Sequence, residues 1–418
     1  MPMVDVPLGG TSTMKMDPRD SLWPQDWLGA KRLLCVRLDT LGDVAMMEPA
    51  IRALRQATPG RSVTLLTSSS GAAAARLMQS ADEILIYNSP WMKHSPSHRD
   101  AAADRGVVET LRQRQFDGAV IFNCFSQSPL PAAMLCYWAD IPLRLAYCRE
   151  NPYQLLTHWA RELEPEQGIR HEVRRQLDLV ARVGAEVADR RMRLAIREED
   201  VAFAVARLSS AGVEVGRPWI VVHPGASAES RRWPAEYFAS AVDEIARLGI
   251  QIVFTGQRPE QSLVEQIRDQ MMEVSASLVG QLDVGQLLAL LSRATLLLSN
   301  NTGPVHLAAG VGTPVVDVYA LTNPQHTPWH VASRVVSRDV PCKYCFRSVC
   351  PEGHHACMRG IEPAEVVEAV RRLLEERGRI DRATTAHPAG LEHVDSSLMT
   401  AGDSKHGRFL RVAVPLSR

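Results

Sequence analysis

Two glycine-centred segments, about 260 residues apart, hold the residue types on which chemistry in this chain would rest. The first is Leu41-Gly42-Asp43, which follows an apolar stretch at 32–38. The second is Asn300-Asn301-Thr302-Gly303-Pro304-Val305-His306, which follows an apolar stretch at 294–299. A carboxylate at the first can take a proton from a hydroxyl. The hydroxyl, imidazole and backbone N–H groups of the second suit an anion at a helix N-terminus. A base on one half facing an anion cradle on the other is what group transfer from a phosphorylated donor requires. Asp43 also has the position of a helix N-cap, and the residues alone leave the two roles open. Gly42 lets the backbone turn and approach a ligand closely. Asp39, on the same turn, is a second carboxylate, suited to binding substrate hydroxyls or to steadying the loop.

Further candidates lie in the second half. His223-Pro224-Gly225-Ala226-Ser227 ends an apolar run in small residues, and Ser227 and its neighbours can offer N–H groups to phosphate oxygens. Arg231-Arg232-Trp233-Pro234 follows, and Arg231 is placed to neutralise a leaving diphosphate, unless it is an ordinary surface arginine. Glu260, just after the stretch 251–255, is a candidate for ribose hydroxyls. His306 lies one turn into the helix that Thr302 and Gly303 open, so it is either a packed histidine or a donor-site residue.

Several classes are excluded. The first strand–helix turn has no Gly-x-Gly-x-x-Gly, and the chain has no Gly-x-x-x-x-Gly-Lys-Ser/Thr, which argues against dinucleotide dehydrogenases and P-loop NTPases. No Asp-x-Asp cluster offers a catalytic divalent metal site, so no cofactor is expected for the reaction. Lys+Arg and Asp+Glu balance at 47 each, so there is no global field for nucleic acid. No apolar run spans a bilayer and residues 1–20 lack a signal-peptide core. The expected location is the cytoplasm, with peripheral attachment to the membrane left open. Cys342-x2-Cys345-x4-Cys350-x6-Cys357 has metal-ligand spacing, for zinc or an iron–sulfur centre. The alternative is a reduced loop bracing the last helix; either way the cluster is expected to be structural and apart from the chemistry.

The elements that must position these groups alternate. Strands at 32–38, 62–67, 83–87 and 118–122 are separated by helical patterns at 44–56, 72–79 and 107–114, which reads as βαβ units on a parallel sheet. Helices follow at 168–184 and 198–211. The alternation restarts with strands at 219–223, 251–255, 296–299 and 314–319 and helices between them, ending in a helix at 363–377. The fold class is α/β, with two Rossmann-like doubly wound domains facing a central cleft. The expected division is a flexible lead-in at 1–30, an acceptor domain at 31–211, a donor domain at 217–378 carrying the cysteine loop 342–357, and a disordered tail at 379–418.

Arg37-Leu38-Asp39-Thr40-Leu41-Gly42-Asp43-Val44, followed by Pro49-Ala50-Ile51-Arg52-Ala53-Leu54, resembles the N-terminal signature of glycosyltransferase family 9, the lipopolysaccharide heptosyltransferases and their relatives. His223 to Pro234 resembles the family's phosphate-contacting segment, and Asn301 to Ala309 its donor signature. The resemblance runs from about residue 31 to residue 374. It implies a GT-B fold and an inverting, metal-independent transfer from a nucleotide-diphosphate sugar, typically ADP-heptose. It also implies a lipid-linked core oligosaccharide as acceptor, at the inner membrane surface. Asp43 matches the proposed general base, Arg231 a diphosphate-contacting position usually held by lysine, and Thr302, Gly303 and His306 the donor site. Asn301 stands where a sugar-binding aspartate is usual. Trp91, Lys93 and Trp138 are candidates to face a membrane. A GT-B epimerase or phosphorylase, or a non-catalytic nucleotide-sugar binding protein, would use the same architecture.

Overall fold

A computed structural model of the chain describes residues 23–93, 101–385 and 409–410. Six strands form the first sheet: β1 (Arg32–Arg37), β2 (Ser62–Thr67), β3 (Glu83–Ile86), β4 (Gly118–Ile121), β5 (Leu143–Cys148) and β6 (His158–Arg161). All run parallel, in the order β3-β2-β1-β4-β5-β6. A short strand, β7 (Ile196–Arg197), lies in the connection. The second sheet comprises β8 (Trp219–His223), β9 (Gln251–Phe254), β10 (Ala276–Ser277), β11 (Leu297–Asn300), β12 (Val315–Val318) and β13 (Ser333–Val336). It is also parallel and repeats the same order, β10-β9-β8-β11-β12-β13.

This order explains where the site must be. Strand order reverses beside β1 in one sheet and beside β8 in the other, and open α/β sheets bind ligands beyond the carboxyl ends of strands at such a reversal. β1 leads into the helix Leu41–Ala45, and β11 into the helix Gly303–Val311. The central strands are buried almost throughout, as expected for parallel strands covered on both faces. One apolar cluster runs through both halves, joining Val44 and Ala45 to Leu194, Leu288, Val305 and Leu307.

The elements depart from the sequence reading in several places. The helix expected at 44–56 is two helices, Leu41–Ala45 and Glu48–Ala57, because Pro49 opens the second in its first turn. The helix Leu130–Trp138 and strands β5, β6 and β13 were not anticipated. Leu130–Trp138 is apolar nearly all round and so has no amphipathic period, while Arg144 and Arg161 interrupt the apolar signal of the two strands. Within the expected lead-in, Trp23–Leu28 is a helix, with Trp27 buried in the core. The last helix runs Pro363–Thr385, past the expected boundary at 378, since a single glycine costs a helix only about 1 kcal/mol. Phe409–Leu410 (β14) pairs antiparallel with β7. The remainder of the expected lead-in and tail lies outside the described residues.

Candidate active site

The two glycine-centred turns meet. A cavity of about 690 Å³ opens between the sheets, lined from the first half by Asp39, Gly42 and Asp43 and from the second by Ser227, Arg231, Asn301, Thr302, Gly303 and His306. Its size is that of a site for a nucleotide-sized ligand. Gly42 is buried against His306, so the floor of the cleft is a direct contact between halves.

Asp43 is not the N-cap, which is Thr40, but stands in the first turn of the helix. As the third residue of the helix Leu41–Ala45 it closes a capping box with Thr40, whose hydroxyl donates to Asp43 Oδ2 at 2.7 Å and whose N–H donates at 3.3 Å. Its other oxygen lies 3.4 Å from Arg37 Nη2. Burial pushes the Asp43 carboxyl up, but the Arg37 guanidinium, His326 and the Thr40 hydroxyl outweigh it and hold the group at about 2. It is therefore ionised at neutral pH, the form in which it can accept a proton.

Arg37 organises this wall. It is fully buried and touches three carboxylates: Asp39 at 2.6 Å, Glu172 at 2.7 Å and Asp43 at 3.4 Å. Its Nη2 also donates to Cys124 Sγ at 3.2 Å. One cation cannot neutralise three anions equally. Asp39, which Gln127 Nε2 also contacts at 2.6 Å, is pushed up to about 6 by burial and by Asp43 against the pull of Arg37. The two aspartates share one guanidinium and titrate as a pair. Behind them Glu172 accepts from Arg37 and Gln176, and Arg175 pairs with Glu162. Neither Glu172 nor Arg37 was singled out from sequence, because a charged residue on a strand or helix carries no local sign that it is buried.

The opposite wall presents positive potential. Thr302 is the N-cap of Gly303–Val311 and makes no side-chain capping bond, so the helix start faces the cavity uncapped. Arg231 ends a short 3-10 turn, Glu229–Arg231, and its buried Nε has no protein partner among the described residues. Arg232 is different: its Nε donates to the Ala226 carbonyl at 2.9 Å and braces the loop. Asn300 ties the same loop to β11, accepting from Trp233 N–H at 3.1 Å and donating to the Pro224 carbonyl at 2.6 Å. His306 is held down to about 3 by burial first and His326 second, so both its ring and that of His326 are neutral at the site.

Other candidates are placed otherwise than expected. Glu260 does not line the cavity; its carboxylate folds over Gly225, accepts from Gln257 N–H at 2.7 Å and lies 3.9 Å from His223. The cysteine loop is not apart from the cleft. Its Phe346 and Ser348 line the cleft, Phe346 meets Phe125 edge to face at 5.5 Å, and Lys93 donates to Ser348 across the halves. Cys342, Cys345, Cys350 and Cys357 share a small cavity with His354, and the Cys342 sulfur lies 4.0 Å from His354 Nε2. Among the described residues the group whose ligand atoms lie within 4.8 Å of one another is instead Asp43, Cys124 and His326, where Arg37 already supplies positive charge. Trp91 and Lys93 are exposed and line the cleft, and Trp138 is exposed beside Tyr137. The segment Asn323–His326 lines the wall formed by the second half and was missed; it follows β12 in an irregular loop without a motif.

Comparison with known proteins places this geometry. Residues 105–356, more than half of the chain, match the family model for glycosyltransferase family 9 (heptosyltransferase). Lipooligosaccharide heptosyltransferase 2 of Campylobacter jejuni is 28% identical over 167 residues, 38% of this chain and 52% of the relative. Against the first such relatives the chain thus spans about half of their length. The lipopolysaccharide core heptosyltransferase OpsX of Haemophilus influenzae is 24% identical over 74% of this chain and 85% of its own. Among solved structures, a family 9 glycosyltransferase of Veillonella parvula superposes with a TM-score of 0.71 at 23% identity, over 83% of this chain and 98% of that one. ADP-heptose lipopolysaccharide heptosyltransferase II of Escherichia coli does so at 0.65 and 20%, over 83% and 99%. These likenesses establish the GT-B fold of two facing Rossmann-like domains.

Proposed function

Since the chain belongs to glycosyltransferase family 9, we propose that it transfers heptose, with inversion, from ADP-heptose to a hydroxyl of a lipopolysaccharide-core oligosaccharide. The observation that carries this reading is the arrangement across one cavity of an ionised carboxylate, Asp43, facing an uncapped helix start and Arg231. The relatives named above are heptosyltransferases acting on lipopolysaccharide or lipooligosaccharide.

In this reading the acceptor oxygen attacks the anomeric carbon from the face opposite the diphosphate. The new C–O bond forms as the bond to the β-phosphate oxygen breaks, and the electron pair leaves with ADP. As the acceptor oxygen donates its electrons its proton becomes strongly acidic, so even a carboxylate held at about 2 can receive it late in the step. Arg231 and the Thr302-Gly303 amides meet the charge that grows on the diphosphate, without reorganisation during the reaction. Such a site supplies by side chain and backbone the charge that a divalent metal would otherwise supply, and the transfer is read as metal-independent. Ser227 adds a hydroxyl on the phosphate wall. Glu260, set beside Gly225, would reach a ribose only from the rim. The four thiols act as a reduced brace for the loop carrying Phe346 and Ser348; a structural zinc or iron–sulfur centre there would require them to draw closer together. No described helix is long and apolar enough to cross a membrane, and the enzyme is read as cytoplasmic, working at the inner face of the membrane on a lipid-linked acceptor.

The test is release of ADP from ADP-heptose by purified protein with and without a lipid A–inner-core acceptor, with Asp43→Asn alongside. Acceptor-dependent release that the substitution abolishes is expected. Tight donor binding with no release would move the reading to another acceptor. Release unaffected by Asp43→Asn would remove Asp43 as the base.

A further inference from the structure

Asn301 is 2% exposed on the donor wall, directly after β11. Both hydrogens of its amide nitrogen are used inside the protein: Nδ2 donates to Asp317 Oδ2 at 3.1 Å and to the His326 carbonyl at 2.8 Å. The opposite amide orientation would point an oxygen at that carbonyl, which can only accept, so the orientation is decided by its partners. The amide oxygen is left with no donor among the described residues, on a residue that lines the cleft. Asp317 lies one layer behind, in the middle of β12, opposite Ser299 in the register, and is itself fully buried. Its second oxygen has no hydrogen-bond partner among the described residues, and burial holds the carboxyl up to about 8 despite Asn301 and Arg231. A buried carboxyl half-satisfied behind an amide is costly to keep. The reading of the cleft as a nucleotide-sugar transferase uses the residues in front of it and assigns Asp317 nothing.

Resting on that reading, we propose that Asp317 is a positioning residue for the transferred sugar. Together with the His326 carbonyl it draws the Asn301 amide protons away from the cleft and fixes a neutral amide oxygen there, as the acceptor for one sugar hydroxyl. The donor this selects is a sugar that bears a free hydroxyl at the contacted carbon. A site that hydrogen-bonds a hydroxyl rejects an analogue lacking it, because the buried acceptor is then left unpaired. A freely rotating asparagine would present donor and acceptor alike and read the position loosely.

The test uses the full chain, with calorimetric affinities for ADP and for ADP-heptose and steady-state constants for donor and acceptor. Asp317→Ala is expected to weaken ADP-heptose about tenfold while the affinity for ADP and the acceptor KM stay within about twofold. Asp317→Asn still offers an oxygen to Asn301 Nδ2 and is expected to restore most of the loss. Equal weakening of ADP and ADP-heptose in Asp317→Ala overturns the proposal. So does failure of Asp317→Asn to rescue. Wild-type protein that binds ADP and ADP-heptose alike also overturns it, whereas preferential binding of the sugar nucleotide without transfer counts only against the transferase reading.

Discussion

Gly42 packs its bare Cα against the His306 ring. A Cβ built on Gly42 would lie 2.8 Å from His306 Cδ2 and 3.5 Å from the Gly303 Cα. The first turn of the helix that carries Asp43 thus touches the first turn of the helix that Thr302 caps, and the width of the cleft between them is set there. Gly42→Ala should force the buried ring or the helix start to move, at about 1–3 kcal/mol for overpacking. Transfer rate is expected to fall at least tenfold while far-UV circular dichroism stays native; a variant with wild-type rate would show that the contact does not govern the geometry.

The pH profile should report Asp39 rather than Asp43. Asp43 is held at about 2 and stays ionised through the working range, whereas Asp39 is pushed up to about 6. The acidic limb of kcat/KM is expected near pH 6 and should disappear in Asp39→Asn. The sign for stability follows. Between the unfolded value near 3.8 and about 6 the folded Asp39 keeps a proton that the unfolded chain has lost. Stability from this group is therefore greatest at low pH and falls as pH rises through 6. The Tm of Asp39→Asn should gain on wild type from pH 4 to 7. For Asp43 the sign is opposite, with stability present above about 4 and lost as pH falls toward 2.

Adjacent arginines should separate cleanly. Arg231→Ala is expected to cost about 10²–10³ in kcat/KM, with Arg231→Lys recovering part of it, since charge returns without the planar fork. Arg232→Ala removes the bond to the Ala226 carbonyl and should lower stability by about 1 kcal/mol with the donor KM nearly unchanged. Paired steady-state and melting measurements decide it.

Glu172 has no described contact with the cavity yet should matter greatly. Burial would raise its carboxyl, but Arg37 first and Arg175 next hold it ionised below its usual value. Glu172→Ala leaves the buried Arg37 Nη1 without its acceptor while Asp39 and Asp43 still pair with the guanidinium, so a loss of about 1–3 kcal/mol in denaturant unfolding is expected. A loss under 1 kcal/mol would mean that Asp39 takes over the charge.

Phe346 should act on the acceptor. Its ring meets Phe125 of the first half, and its loop receives Lys93 through Ser348. Phe346→Ala is expected to raise the acceptor KM about fivefold and leave the donor KM within twofold. An equal rise in both would place the loop on the donor side instead.

The amino-acid sequence determined what local pattern can determine. Short apolar runs broken by amphipathic periods imposed two parallel sheets, and the turns after β1 and β11 marked the edges where a ligand would lie, because strand and helix periods and glycine turns are properties of neighbouring residues. Leu130–Trp138, apolar all round, escaped that logic for the same reason. Tertiary structure alone decided the rest. It brought Gly42 onto His306, set Arg37 among three carboxylates so that Asp39 and Asp43 part in acidity, and folded Glu260 over Gly225. It swung the cysteine loop over the cleft and turned the Asn301 amide toward Asp317. Each of these depends on which distant group removes water from a charge or fills the space beside it, and burial is a property of the folded neighbourhood rather than of the residue.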